Sequence, residues 1–132
     1  MLKTMDFKSS KRIEFIDITE KINSIIRQSG IVEGACFISV PHTTAAITVN
    51  ENSDPDVVHD ILTKTGKLIP FGEGYSHIEG NSDSHIKSSL FSPSLSLIIN
   101  ENKLLLGIWQ AVYFCEFDGP RNRKVYVKLI SG

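Results

Sequence analysis

A chain of 132 residues has room for one hydrophobic core but not two, so residues 1–132 read as a single domain. Its 14 Lys+Arg stand against 15 Asp+Glu, and a net charge of −1 gives no electrostatic reason to expect a nucleic-acid partner, which normally shows as a basic patch or stripe; the expectation is no nucleic acid. The start MLKTMDFKSSKR lacks a signal-peptide apolar run, no stretch approaches the ~18 apolar residues that span a bilayer, and Cys36 and Cys115 sit inside the apolar runs ACFISV and VYFCEF; the expectations are no membrane, no disulfide framework and a cytoplasmic location.

Met5 to Ser9 and Arg12 to Ile18 alternate apolar and polar residues, which predicts two early strands paired with each other. Thr19 reads as the N-cap of a helix ending near Gln28, with Ile22, Ile25 and Ile26 on one face and Ser29-Gly30 as the stop. Ala35 to Val40 and Ala45 to Val49 read as buried strands. Between them Pro41-His42-Thr43-Thr44 is too polar for core, and Pro41 cannot donate to a central ladder, so the tetrad reads as an edge or corner. Ser53 or Asp54 caps a second helix, Asp54 to Thr65, with Pro55 at its first position and Val57, Val58, Ile61 and Leu62 as its stripe. His59, alone on that helix, is assigned no function.

Lys67 to Gly74 reads as a loop, and Ser82 or Asp83 as the cap of a short helix from about Ser84. The last third reads as strands at Leu95 to Ile99, Leu104 to Leu106, Trp109 to Phe117 and Val125 to Ile130, with Asn100 to Lys103 as a hairpin connection and Asp118 to Arg121 as a turn. Two or three helices among hairpin-connected strands predict an α+β fold with a mostly antiparallel, two-layer, sandwich-like β core.

The densest chemistry lies in Tyr75 to His85, YSHIEGNSDSH. Its His77 and His85, with His42 from the upstream corner, suit a three-imidazole divalent-metal site with an open position. The competing reading is ordinary hydrogen-bonding histidines in turns, since a seven-residue gap between His77 and His85 is no known zinc spacing. Glu51, Glu79, Asn81 and Asp83 are candidates to orient imidazoles or to act as acid or base on a bound water; turn chemistry is the alternative for each. Helix amides near His85 add anion capacity. Arg121 offers a guanidinium fork to phosphate, or a turn pair with Asp118; Lys87 is a weaker phosphate candidate. Trp109 reads as core, and its neighbour Gln110 needs a partner if buried.

The strings HTTAAITVNENSDPDV, YSHIEGNSDSHIKSSL and LGIWQAVYFCEFDGPR, in that order over nearly the whole chain, resemble the YjbQ family, described as secondary thiamine-phosphate synthases. Members usually have Gly where this chain has Asn102, and Thr or Val where it has Ile108. The resemblance implies a compact α+β subunit with a sandwich of sheets, assembly as a homotrimer and a clustered-histidine metal site. It implies a phosphorylated small-molecule substrate and a transferase reaction joining a pyrimidine methyl diphosphate to a thiazole phosphate. The metal would be zinc, or magnesium for a diphosphate substrate. A metal-dependent hydrolase is the alternative within enzymes, and a metal or small-ligand binding module without turnover is the alternative outside them.

Overall fold

The structure, a computed structural model, describes all 132 residues. In chain order its elements are β1 (Leu2–Lys8), β2 (Glu14–Asp17), α1 (Thr19–Ser29), β3 (Gly34–Ser39), β4 (Ala45–Glu51), α2 (Pro55–Leu68), α3 (Ser82–Leu90), β5 (Ser94–Asn100), β6 (Lys103–Leu104), β7 (Gln110–Glu116) and β8 (Asn122–Ser131). Five strands form one sheet in the order β1-β8-β3-β5-β6, three form the other as β2-β7-β4, and every pairing is antiparallel. This is the α+β class with a two-layer antiparallel core that the sequence predicts.

The period of two in β7 sets the layering. Val112 and Phe114 face the five-stranded sheet, in one core with Cys36, Ile38, Val125 and Val127, and α1 lays Ile22 and Ile26 into the same core. Ala111, Tyr113 and Cys115 face the opposite way, beneath Val58 of α2 and Phe91 at the end of α3. Phe91 meets Phe15 and Phe117 edge-on at 5.8 and 5.2 Å, a geometry that suits the ring quadrupoles and seats α3 on the outer face of the smaller sheet.

Several local expectations change. β1 and β2 do not pair with each other: β1 lies against β8 and β2 against β7, in different sheets. The Glu14 carboxylate accepts the backbone N–H of Ser10 at 2.7 Å and of Lys11 at 2.9 Å, and the turn so formed carries the chain from one sheet to the other. Thr19 is the first residue of α1 and not its cap; its hydroxyl oxygen accepts the Val112 N–H at 2.8 Å, while the Asp17 carboxylate takes the Thr19 N–H at 3.0 Å. Asp54 does cap α2, accepting the Asp56 N–H at 2.9 Å, with Pro55 at the first position. The helix continues past Thr65 to Leu68 and stops at Ile69, the residue that Pro70 disfavours for helix.

In the last third β6 is only Lys103–Leu104, and β7 starts at Gln110, which leaves Trp109 outside the core and 60% exposed. Gln110 is exposed as well, and its side-chain oxygen accepts the Gly107 N–H at 2.7 Å. The β5–β6 hairpin turns through Glu101 and Asn102, both at positive φ (53° and 61°), as a type I′ connection requires. Asn102 tolerates that conformation and its amide donates to the carbonyls of Ile26 (3.2 Å) and Ile31 (2.6 Å), which ties the hairpin to the end of α1. A glycine there would turn the chain but lose that tie.

Candidate functional site

Three segments meet at one end of the smaller sheet: the corner between β3 and β4, the turn between β7 and β8, and the start of α3. The Phe117 N–H donates to the Thr44 carbonyl at 3.2 Å, the Ser84 hydroxyl to the Phe117 carbonyl at 2.5 Å, and the Asn81 amide to the Asp118 carboxylate at 2.8 Å. Gly119 is required in this junction, because a Cβ there would stand 2.3 Å from the Lys11 carbonyl oxygen. The three segments border an open polar cavity of about 340 Å³ whose walls include His42, Thr43, Glu79, His85, Asp118 and Arg121. His85 also borders a neighbouring pocket of about 360 Å³ with Tyr75, His77 and Ile86, and His42 and His85 together border a third of about 520 Å³ with Ser88.

The predicted residues divide accordingly. His42, Glu79, Asn81, His85 and Arg121 line the polar cavity, and His77 stands in the pocket beside it. Asp83 is fully buried and held by Arg12 through two hydrogen bonds of 3.1 and 3.0 Å, with the Lys87 ammonium at 3.4 Å on its other side. It anchors α3, and Lys87, likewise buried, is spent on the same carboxylate. Glu51 and Gln110 are register partners at the far end of β4 and β7 and line none of these cavities. His59 is exposed on α2.

Beneath the cavity lies a network that the sequence pattern did not single out. Glu116 and Arg123 form a buried ion pair, with Arg123 Nε 2.9 Å from the carboxylate; Arg123 also donates to the Thr44 hydroxyl at 3.0 Å, and the Ser9 hydroxyl donates to Glu116. Both charges were legible in principle. Arg123 is in phase with Val125, Val127 and Leu129, the inward face of β8, and Glu116 closes the apolar run of β7. A charge on an apolar phase requires a partner. Arg12, which orders Asp83, carried no such signal.

Burial first, and the Arg123 guanidinium second, hold the His42 pKa below its ordinary value, so this ring is neutral near pH 7. Its Nε2 accepts the backbone N–H of Lys124 at 2.9 Å. The Asn81 amide nitrogen is engaged by Asp118, which fixes the orientation of the group, and its Oδ1 is buried without a donor. Arg121 spends Nε and one terminal nitrogen on Asp118, leaving the other free. Burial pushes the Cys36 thiol up to about 11 and raises the Cys115 thiol well above its ordinary value, so neither offers a thiolate at neutral pH.

As a metal site the histidines fit in part. His77 and His85 meet edge to face at 5.5 Å; His77 Nδ1 is 3.1 Å from the Ser82 hydroxyl, its Nε2 3.8 Å from Glu79. That pair retains free ring nitrogens and suits half of a zinc set. His42 Nε2 is taken by the Lys124 N–H, which leaves Nδ1 as its one ring nitrogen without a partner. Within one chain no three His, Cys, Asp or Glu side chains gather into a group able to hold a metal ion.

The family described as UPF0047 protein YjbQ-like matches residues 3–132. The UPF0047 protein MJ1081 of Methanocaldococcus jannaschii is 52% identical over 131 residues, covering 99% of this chain and 95% of that protein. The UPF0047 protein YugU of Bacillus subtilis is 47% identical over 132 residues, covering 99% of this chain and all of its own length (100%). A crystal structure of a YjbQ/UPF0047 family protein from Clostridium acetobutylicum superposes with a TM-score of 0.94 at 49% identity, covering 97% of this chain and 99% of that one. These names state no substrate and no cofactor.

Proposed function

Since this chain belongs to the YjbQ-like UPF0047 family, we propose that it binds a small phosphorylated molecule in the polar cavity between α3 and the Asp118–Arg121 turn. The observation that carries this reading is the cavity's lining, in which donors (His42, Thr43, Arg121) and acceptors (Glu79, Asn81, Asp118) share one small space. Arg121 and Arg123 are offset by Asp118 and Glu116, so the cavity suits a charge-balanced ligand better than a bare polyanion. The free Arg121 nitrogen would take a phosphate oxygen, and the orphaned Asn81 Oδ1 would take an amine or hydroxyl hydrogen on the same molecule.

The coupling of a pyrimidine methyl diphosphate to a thiazole phosphate, implied by the resemblance, is compatible with such a ligand. Catalysis would come from donors stabilising the departing diphosphate, with Arg121 and His42 nearest to that role. The test incubates the protein with each substrate alone and with both. Diphosphate released only with both supports the synthase; release from the diphosphate alone makes it a hydrolase; retention without release makes it a binding module. Arg121→Ala is expected to weaken diphosphate binding roughly tenfold or more, the loss of one charge-assisted contact. Unchanged affinity in calorimetry would remove Arg121 from the site.

A second reading is favoured by the His77–His85 pair: these rings would hold a divalent metal together with a donor from another subunit of a homotrimer. Such a metal would supply charge neutralisation for a leaving phosphate. Metal analysis of His77→Ala and His85→Ala beside the unchanged protein tests it, and full metal content in both variants would end it.

A further inference from the structure

We propose that His42 serves the cavity as a fixed hydrogen-bond donor through Nδ1–H, for an oxyanion oxygen of the ligand, and is not a metal ligand. The anion half rests on the binding reading above; the tautomer rests on the fold alone. β3 leaves the five-stranded sheet at Ser39, whose register partner on β8 is Tyr126. Two residues upstream on β8, Lys124 still pairs with Asp6 of β1, but no β3 residue lies opposite it on the other side. Pro41 turns the chain away, and the His42 ring swings back into the vacated lane, where Nε2 accepts the Lys124 N–H at 2.9 Å. The ring thus completes the sheet in place of a strand.

A nitrogen that accepts a hydrogen bond carries no proton, so the neutral imidazole has its proton on Nδ1. Because a peptide N–H can only donate, this assignment is set by the backbone and not by a rotatable partner. Nδ1 makes no hydrogen bond within the chain, and the ring borders the polar cavity and the pocket shared with Ser88. Ligation through Nε2 is blocked by the peptide hydrogen. Ligation through Nδ1 would move the ring proton to Nε2, where it would face the Lys124 N–H, two donors head to head. Either way the metal would have to break the sheet-end contact. An oxyanion meets the ring as it stands.

The test uses the full chain, labelled with ¹⁵N, in long-range histidine ¹H–¹⁵N correlation spectra at pH 7.5. The expected result is a protonated Nδ1 and an unprotonated Nε2 for His42, unchanged by one equivalent of zinc. An Nε2–H tautomer, or a zinc-induced shift of either His42 nitrogen, overturns the proposal. Inorganic phosphate is then titrated into the unchanged protein, His42→Asn and His42→Ala. The asparagine amide places an N–H near the position of Nδ1–H, so affinity in His42→Asn should stay within about threefold while His42→Ala loses roughly tenfold. Equal loss in both, with both variants folded, overturns the donor role. An unchanged protein that binds no phosphate, with the Nδ1–H tautomer observed, sinks the anion reading and leaves His42 excluded as a metal ligand.

Discussion

Glu116 and Arg123 sit with side chains almost wholly out of water, and each is tolerable only because the other is there. Removing one partner leaves an uncompensated buried charge, so Arg123→Met should cost about 3–5 kcal/mol in urea unfolding, and the double variant Glu116→Gln/Arg123→Met clearly less than the sum of its parts. Additive losses would mean that the pair is not coupled. His42 gives stability a pH dependence of known sign. Its native pKa lies below the ordinary 6.5, so on acidification the unfolded chain takes up a proton near that value while the native ring does not. The contribution is fully present above about pH 6.5 and is lost as pH falls through the depressed native pKa. The urea midpoint should therefore drop between pH 7.5 and 5.5, and drop less in His42→Asn; parallel pH profiles would contradict it.

At the scale of elements, α3 is the exception to the rule that helices dock by an apolar stripe. Its buried residues are Ser82, Asp83, Ser84, Lys87 and Ser88, and it is held by the Arg12–Asp83 fork and the Ser84 bond to Phe117. Arg12→Ala would strand Asp83 with only Lys87, so the amides of α3 should exchange faster than those of α1 in hydrogen exchange; uniform protection would show that the fork is dispensable. α2 differs again, with no fully buried residue and a glycine in its interior. Nothing lies within 4 Å of a Cβ added at Gly66. Gly66→Ala should thus stabilise by about 0.5–1 kcal/mol, read as a higher urea midpoint, because alanine loses less backbone freedom on folding.

For the whole molecule, the outer face of the five-stranded sheet carries Ile98 (60% exposed), Ile130 (49%) and Phe37 (42%), and β5 pairs with β6 only at Ile99 and Asn100. An open strand edge beside apolar side chains invites pairing with another copy. The family resemblance implies a homotrimer, and this edge is where another copy of the chain would pair. Sedimentation should give a trimer that Ile98→Glu dissociates, and a concentration-independent monomer for the unchanged protein would refute it. No helix is long and apolar enough to cross a membrane.

The helices and most strands were legible because their signals are local: the isoleucine spacing of α1, Asp54-Pro55 at the head of α2, the alternation of β8. The antiparallel two-layer class followed from short connections between strand-like runs. His42 and His85, far apart along the chain, were singled out for their chemistry, and the fold brings both to one cavity. What the sequence could not reveal is which distant groups satisfy one another. Sheet membership of β1 and β2 depends on partners in the last quarter of the chain, since Phe7 pairs with Arg123 and Phe15 with Cys115. The same holds for Asp83, which pattern alone left open to a role in chemistry and which Arg12 turns into an anchor, and for His42, whose proton is placed by a peptide N–H on β8. Local propensity is written in neighbouring residues, whereas hydrogen-bond and charge satisfaction in the interior is decided only when the chain has closed on itself.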